Sequence, residues 1–139
     1  MNKITLKYEL DLDFKLVAVN CPLRDYRFCF FVNKYTQLDL VKVEDHETWI
    51  PNQSSLFFSK YSYINPIQDT EFYLISNKGL SGGYLIPEMR SMDYFLLIKE
   101  YIDQEDLSQI IESINQIEAV VVAKEIDPAK LKSKENLLF

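Results

Sequence analysis

Residues 93–123 read DYFLLIKEYIDQEDLSQIIESINQIEAVVVA, and this stretch decides the fold class of the chain. The apolar run at 93–99 is typical of a buried strand, and the β-branched run at 119–123 indicates another. Asp103 is a suitable N-cap for a helix between them, and the outer face of that helix is acidic. Apolar residues at steps of three and four predict one buried stripe on this helix, formed by Leu107, Ile110, Ile111, Ile114 and Ile117.

An earlier part of the chain repeats the order of strand, helix and strand. Residues 12–19 and 38–44 alternate as strands do, and residues 23–35 carry apolar side chains at helical spacing. Residues 23–35 also fit a strand, because aromatic side chains occupy alternate positions in part of this segment. Asn20 as a cap, with Pro22 in the first turn, favours the helix.

Three further segments have the alternation of strands, namely residues 4–9, 55–62 and 71–76. All three glycines of the protein follow the last of these, at Gly79, Gly82 and Gly83, and predict a tight turn. We therefore expect one α+β domain over residues 1–139. The order of elements favours a ferredoxin-like α/β sandwich, in which an antiparallel sheet carries two main helices and an inserted β-hairpin near 55–76.

The composition indicates a globular and acidic protein. The chain has 139 residues, of which 15 are basic and 21 are acidic, and its formal net charge is −6. This charge disfavours binding to the phosphates of nucleic acids and to anionic membrane surfaces. No apolar run is long enough for a signal peptide or a membrane span, and only two cysteines occur. We therefore expect a cytoplasmic protein with reduced, buried thiols and no membrane association.

Residues 86–94 read IPEMRSMDY, and residues 131–139 at the end of the chain read LKSKENLLF. The first run resembles the signature of the IPExxxVDY family, small uncharacterised proteins of Bacteroidota, with Met92 where the family name has Val. The second run is similar to the C-terminus of that family. The resemblance covers the whole chain, but it implies no activity and no cofactor.

The motif has two readings in physical terms. In the first, Glu88 and Asp93 clamp a turn at the end of a strand, either by sharing Arg90 or by accepting hydrogen bonds from backbone amides. In the second, the motif forms a polar recognition patch beside the glycine turn. The binding residues that we predict for this patch are Glu88, Arg90, Asp93, Tyr94, Gly82 and Gly83. A catalytic pair of carboxylates is the weakest reading, because nothing in the sequence fixes their separation.

Two other features are candidates for function. The tail at 132–139 is polar and then apolar, so it either folds back on its own domain or docks in a groove of a partner. For docking, the candidate residues are Lys134, Leu137, Leu138 and Phe139. His46, the single histidine, stands among carboxylates in what we predict to be a solvated loop, and one such residue does not predict a metal site.

The sequence contains no catalytic set, so we favour a non-enzymatic protein–protein interaction or adaptor module with a protein partner. The alternative is a regulatory domain that binds a small metabolite, as ACT-like domains do, at the glycine turn and the motif. A small enzyme that uses carboxylates is the weakest hypothesis. The sequence leaves a homodimer open and predicts no cofactor and no metal.

Overall fold

The computed structural model describes residues 12–49 and 54–139, so the strand predicted at 4–9 lies outside the described residues. The strands are β1 Lys15–Asn20, β2 Val41–Thr48, β3 Leu56–Ile64, β4 Glu71–Ser76, β5 Tyr94–Lys99 and β6 Val122–Ile126. The α-helices are α1 Asp25–Thr36 and α2 Gln104–Asn115. Short 3-10 helices span Pro87–Met89, Pro128–Lys130 and Lys134–Leu137. The helix predicted at 23–35 and the strand predicted at 71–76 are confirmed.

The six strands form a single open sheet in the order β2-β3-β4-β5-β1-β6, in which every neighbouring pair is antiparallel. The prediction of an α+β domain with an antiparallel sheet and two helices is confirmed. Because each neighbour reverses direction, β1 runs parallel to β2, and β5 runs parallel to β6. Helices α1 and α2 are the crossovers between these parallel strands, and they are therefore antiparallel to each other.

Both helices pack on one face of the sheet, where they contact each other. Helix α2 buries the stripe that the sequence predicts, with Leu107 and Ile114 nearly inaccessible to solvent. Its N-cap is Asp103, whose Oδ1 accepts a hydrogen bond from the Asp106 amide at 2.8 Å, as predicted. Burying an aliphatic side chain of this size stabilises the fold by roughly 1.5–3 kcal/mol.

The predicted start of α1 is wrong. Asn20 is the last residue of β1, and the N-cap of α1 is Arg24, which makes no side-chain capping bond. The Asp93 carboxylate accepts a hydrogen bond from the Cys21 amide at 2.7 Å, which holds this connecting segment outside the helix. Because of this contact between residues 72 apart in the sequence, the helix begins later than Asn20 and Pro22 indicate.

The opposite face of the sheet is covered by irregular chain. Residues 77–93 and the segment after β6 lie over it and bury a second apolar cluster, which includes Leu85, Ile86, Met92, Leu131 and Leu137. Strand β6 begins three residues later than predicted, because the Val120 amide closes a turn on the Ile117 carbonyl at 3.0 Å. Residues 86–92 of the motif and the C-terminal tail thus share one face, away from the helices.

Candidate functional site

Asn77 organises the loop that carries the IPEMRSMDY motif. Its side chain is fully buried, and its Nδ2 donates to the carbonyls of Met89 at 2.9 Å and Met92 at 2.8 Å. Its Oδ1 accepts a hydrogen bond from the Ile86 amide at 2.8 Å. The side chain therefore uses both donors and its acceptor on the motif backbone, which it holds in one conformation.

The last two residues of the motif connect β5 to the start of α1. Asp93 accepts the hydrogen bond from the Cys21 amide described above, and burial raises the pKa of its carboxyl group. The Tyr94 hydroxyl donates to the Leu23 carbonyl, and its ring stacks on Phe28 with centroids 4.6 Å apart. Both side chains therefore hold the segment between β1 and α1 in place.

Glu88 connects the motif to the C-terminal tail. Its two carboxylate oxygens accept hydrogen bonds from the Ser133 amide and the Ser133 hydroxyl, each at 2.8 Å. Burial alone would raise the pKa of Glu88, but the hydrogen bonds from Ser133, together with backbone hydrogen bonds from Glu88 and Lys132, leave that pKa lowered. The two segments that carry the family resemblance are thus in direct contact.

Arg90 and the glycine turn do not join this network. The Arg90 guanidinium lies over the Tyr84 ring, 5.2 Å from its centroid, and within residues 12–49 and 54–139 no salt bridge joins it to Glu88 or Asp93. Gly82 and Gly83 adopt positive φ angles of 108° and 78°, so the turn requires glycine there. The contacts match the reading of a turn clamped by carboxylates that bind backbone amides. The binding role of these residues stays a prediction.

The tail folds back across its own sheet. Leu137 is fully buried, and Asn136 donates from its Nδ2 to the Leu85 carbonyl at 2.8 Å. Leu138 is half-buried, and Lys134 donates to the nearby Leu131 carbonyl at 3.4 Å. Of the two alternatives for the tail, the structure has the fold-back arrangement. Docking of its four candidate residues to a partner would require the tail to leave this face.

Phe139 contacts side chains from four strands. Two ammonium groups lie over its ring, with Lys60 Nζ 3.6 Å and Lys99 Nζ 3.7 Å from the ring centroid. The rings of His46 on β2 and Tyr73 on β4 meet it edge-on, at centroid distances of 5.1 and 4.9 Å. Cation–π and edge-to-face contacts of this kind hold the end of the tail against the sheet.

His46 does not lie in a solvated loop, which corrects the prediction. It follows a β-bulge in β2 and is buried, and its Nε2 hydrogen-bonds the Asn136 carbonyl at 2.7 Å. Burial lowers the pKa of His46, and the positive charges of Lys60 and Lys99 lower it further. Among the described residues, no group of three or more His, Cys, Asp or Glu side chains is arranged to hold a metal ion.

The lowered pKa of His46 predicts a loss of stability in mild acid. The unfolded chain binds a proton at His46 near the ordinary pKa of 6.5, whereas the folded chain binds it only at lower pH. Stability therefore falls as the pH drops below the unfolded pKa, by up to about 1 kcal/mol between about pH 7 and pH 5.5. Urea unfolding should show this loss in the wild type and little of it in His46→Gln. Equal losses in both proteins would contradict the assignment to His46.

Helix α1 presents an aromatic face to solvent, although Tyr26, Phe30 and Tyr35 belong to the apolar set whose helical spacing predicts this helix. Phe28, Cys29 and Val32 point into the core, while Tyr26 and Phe30, one turn apart, are each 61% exposed. We call the exposed side of α1, formed by Tyr26, Arg27, Phe30, Lys34 and Tyr35, the aromatic face. The sequence did not show which side of α1 is exposed, because aromatic side chains occupy both sides of this helix.

The charges of the two helices are segregated. Arg24, Arg27 and Lys34 are exposed on and beside the aromatic face, and the one carboxylate of α1, Asp25, turns inward to accept a hydrogen bond from the Tyr61 hydroxyl at 3.0 Å. Helix α2 exposes only acidic charge, at Glu105, Asp106 and Glu112. A protein of net charge −6 thus carries a basic aromatic helix beside an acidic one.

An open cleft of about 840 Å³ lies where β1, β5 and β6 approach the N-terminus of α2. Its lining includes apolar residues such as Phe14, Ile98 and Ile126. Among the described residues that line it, Lys15 is the one cation, and it lies 3.9 Å from Glu125. The carboxylates that line the cleft belong to Asp13, Glu100, Asp103, Glu125 and Asp127.

The chain matches no protein-family profile and no curated protein, so the resemblance to the IPExxxVDY family stays a prediction. None of the helices in the described part of the chain is long and apolar enough to cross a membrane.

Proposed function

We propose that this protein is a non-enzymatic protein–protein interaction module and that the aromatic face of α1 is its binding surface. The observation that carries the proposal is the exposure of Tyr26 and Phe30 on neighbouring turns of one helix. Aromatic and arginine side chains are enriched among the residues that contribute most to binding between proteins. Arg27 lies within the same face and adds such a residue.

The rigidity of α1 supports this role. The helix is fixed to the sheet by three buried side chains and by Asn33, whose amide group bonds both backbone groups of Leu40 at 2.8 and 3.0 Å. A surface on a rigid helix loses little conformational entropy when it binds. Residues 86–92 of the motif and the tail lie on the opposite face and contribute stability to the domain that presents α1.

The proposal is tested by replacing both exposed rings. In the double variant Tyr26→Ala, Phe30→Ala, we expect crosslinked partner protein to fall at least about tenfold, because buried aromatic contacts dominate such interfaces. The measurement is quantitative mass spectrometry of proteins crosslinked to the tagged full chain in its native cell. An untagged copy of the chain is expressed alongside, so that self-association is also detected.

The matched control removes two other exposed apolar side chains, in the variant Ile67→Ala, Tyr101→Ala. Both double variants should keep the free energy of unfolding within about 0.5 kcal/mol of the wild type, since all four side chains are solvated. Crosslinks that fall only in the α1 variant support the proposal. Crosslinks that are equal in all three proteins contradict it.

The alternative is a regulatory domain that binds a small metabolite. Without β3 and β4, the strand order would become β2-β5-β1-β6, which is the order of a ferredoxin-like sandwich with a hairpin inserted over residues 56–76. The 840 Å³ cleft beside α2 has the size of a ligand site, and its carboxylates suit a cationic metabolite. A thermal shift with amino acids or polyamines, abolished by Glu100→Gln, would favour this function. We place either function in the cytoplasm, where the two unpaired, buried cysteines would stay reduced.

A further inference from the structure

We propose that the partner of the aromatic face is a second copy of this chain, with α1 of each copy packed against α2 of the other. This inference rests on the proposed interaction function, because it uses the same surface. The charges provide the first argument. The aromatic face and its border carry the cations Arg24, Arg27 and Lys34, whereas α2 exposes only carboxylates, so each helix is complementary to the other and not to itself.

The symmetry of the helical layer provides the second argument. Helices α1 and α2 lie side by side on one face of the sheet, are antiparallel, and have 12 residues each, so each is about 18 Å long. Consider a two-fold axis that runs parallel to the helices, lies between the two copies and is centred between α1 and α2. It places α1 of one copy over α2 of its partner. The same rotation creates the second, identical contact, as an isologous dimer requires.

The antiparallel arrangement also sets which charges meet. Arg27 lies near the beginning of α1 and Lys34 near its end, and the exposed acids of α2 have the reverse order. Arg27 therefore falls opposite Glu112 of the other copy, and Lys34 falls opposite Glu105. The two-fold axis repeats both pairs, so that four ion pairs surround the rings of Tyr26 and Phe30.

The size of the surface is compatible with a specific dimer. The accessible surface of the chain is 8600 Å². A contact of standard size buries about 800 Å² on each partner, roughly a tenth of that value. Because the interface combines a few rings with solvated ion pairs, we expect a dissociation constant in the micromolar range that rises with salt concentration.

The test is sedimentation equilibrium of the full-length protein with two charge-reversed variants. Variant one is Arg27→Glu, Lys34→Glu, and variant two is Glu105→Lys, Glu112→Lys. Each variant places like charges across the contact, so each alone should dimerise at least about tenfold more weakly than the wild type. In a heterodimer of the two variants, both helix contacts again join opposite charges, so a mixture of the two should form dimers, and these should be heterodimers.

The matched control is Lys78→Glu, Lys130→Glu, which changes the net charge as variant one does but alters exposed residues outside the helical layer. It should dimerise as the wild type does, and circular dichroism should show all variants folded. A wild type that stays monomeric at concentrations up to about 1 mM would overturn the inference. The inference would also be overturned if each charge-reversed variant by itself dimerised as strongly as the wild type.

Other occupants of the face would give distinct results. A monomer whose Tyr26→Ala, Phe30→Ala variant loses crosslinks to a different protein contradicts the dimer but keeps the proposed interaction function. A monomer that gains mass only with single-stranded oligonucleotide contradicts both, since rings and cations on one surface also suit bases and phosphates. A monomer without crosslinks that depend on the face also contradicts both.

Discussion

Replacing Asn77 with Ala is expected to lower the free energy of unfolding by about 3–5 kcal/mol. The side chain makes three hydrogen bonds to the motif backbone, with Ile86, Met89 and Met92, and it is fully buried. Alanine leaves one amide and two carbonyls without these partners, and leaving a buried polar group unpaired costs about 1–3 kcal/mol. Urea unfolding followed by circular dichroism measures the loss.

Asn65 provides a matched control for this prediction. Its Oδ1 accepts hydrogen bonds from the amides of Ile67 and Gln68, but this turn is exposed and water can replace the lost bonds. Asn65→Ala should therefore cost no more than about 1 kcal/mol. If the two alanine variants unfold at the same urea concentration, Asn77 is not the residue that organises the loop.

Replacing Leu137 with Ala is expected to destabilise the protein by about 2–5 kcal/mol, the range observed for buried leucines that leave a cavity. Leu137 is fully buried in the second apolar cluster, where it packs with residues of β1, β5 and the motif loop. Leu80→Ala is the control, because that side chain is 60% exposed and should contribute little. Thermal and urea unfolding of both variants measure the difference.

A second variant separates the anchoring of the tail from the packing of the core. Glu88→Ala removes both hydrogen bonds to Ser133, so we expect it to free the tail at a smaller cost in stability than Leu137→Ala. Hydrogen exchange should then speed up at residues 132–139 in Glu88→Ala. Unchanged protection of these amides would contradict an anchoring role for Glu88.

Both predictions rest on the motif and the tail having the role of stabilising the fold. Residues 86–92 of the motif and the tail cover the face of the sheet opposite the helices, and Glu88 connects them directly. A partner that captured the tail would have to extract Leu137 and displace the contacts of Phe139 with Lys60 and Lys99. The aromatic face of α1 is available without such a rearrangement, so we place the interaction there.

The sequence by itself determined the features that depend on neighbouring residues. The prediction agrees with the structure for the apolar stripe of α2, for its cap at Asp103 and for the bounds of β4. These features depend on the spacing of apolar residues within a short segment, which the sequence shows directly. The glycine turn was equally clear, since Gly82 and Gly83 supply positive φ angles. The class of the fold followed from the order of these elements.

Only the tertiary structure decided how the polar side chains are used. Glu88 binds the amide and hydroxyl of Ser133 across 45 residues, and His46 binds the Asn136 carbonyl across 90. Residues so far apart in the sequence form no local pattern, and the backbone groups they use occur in nearly every residue. The exposure of Tyr26 and Phe30 was also undecided, since rings lie on both sides of α1. Packing against the sheet selects the side that is buried, and the other side becomes the surface that we propose for binding.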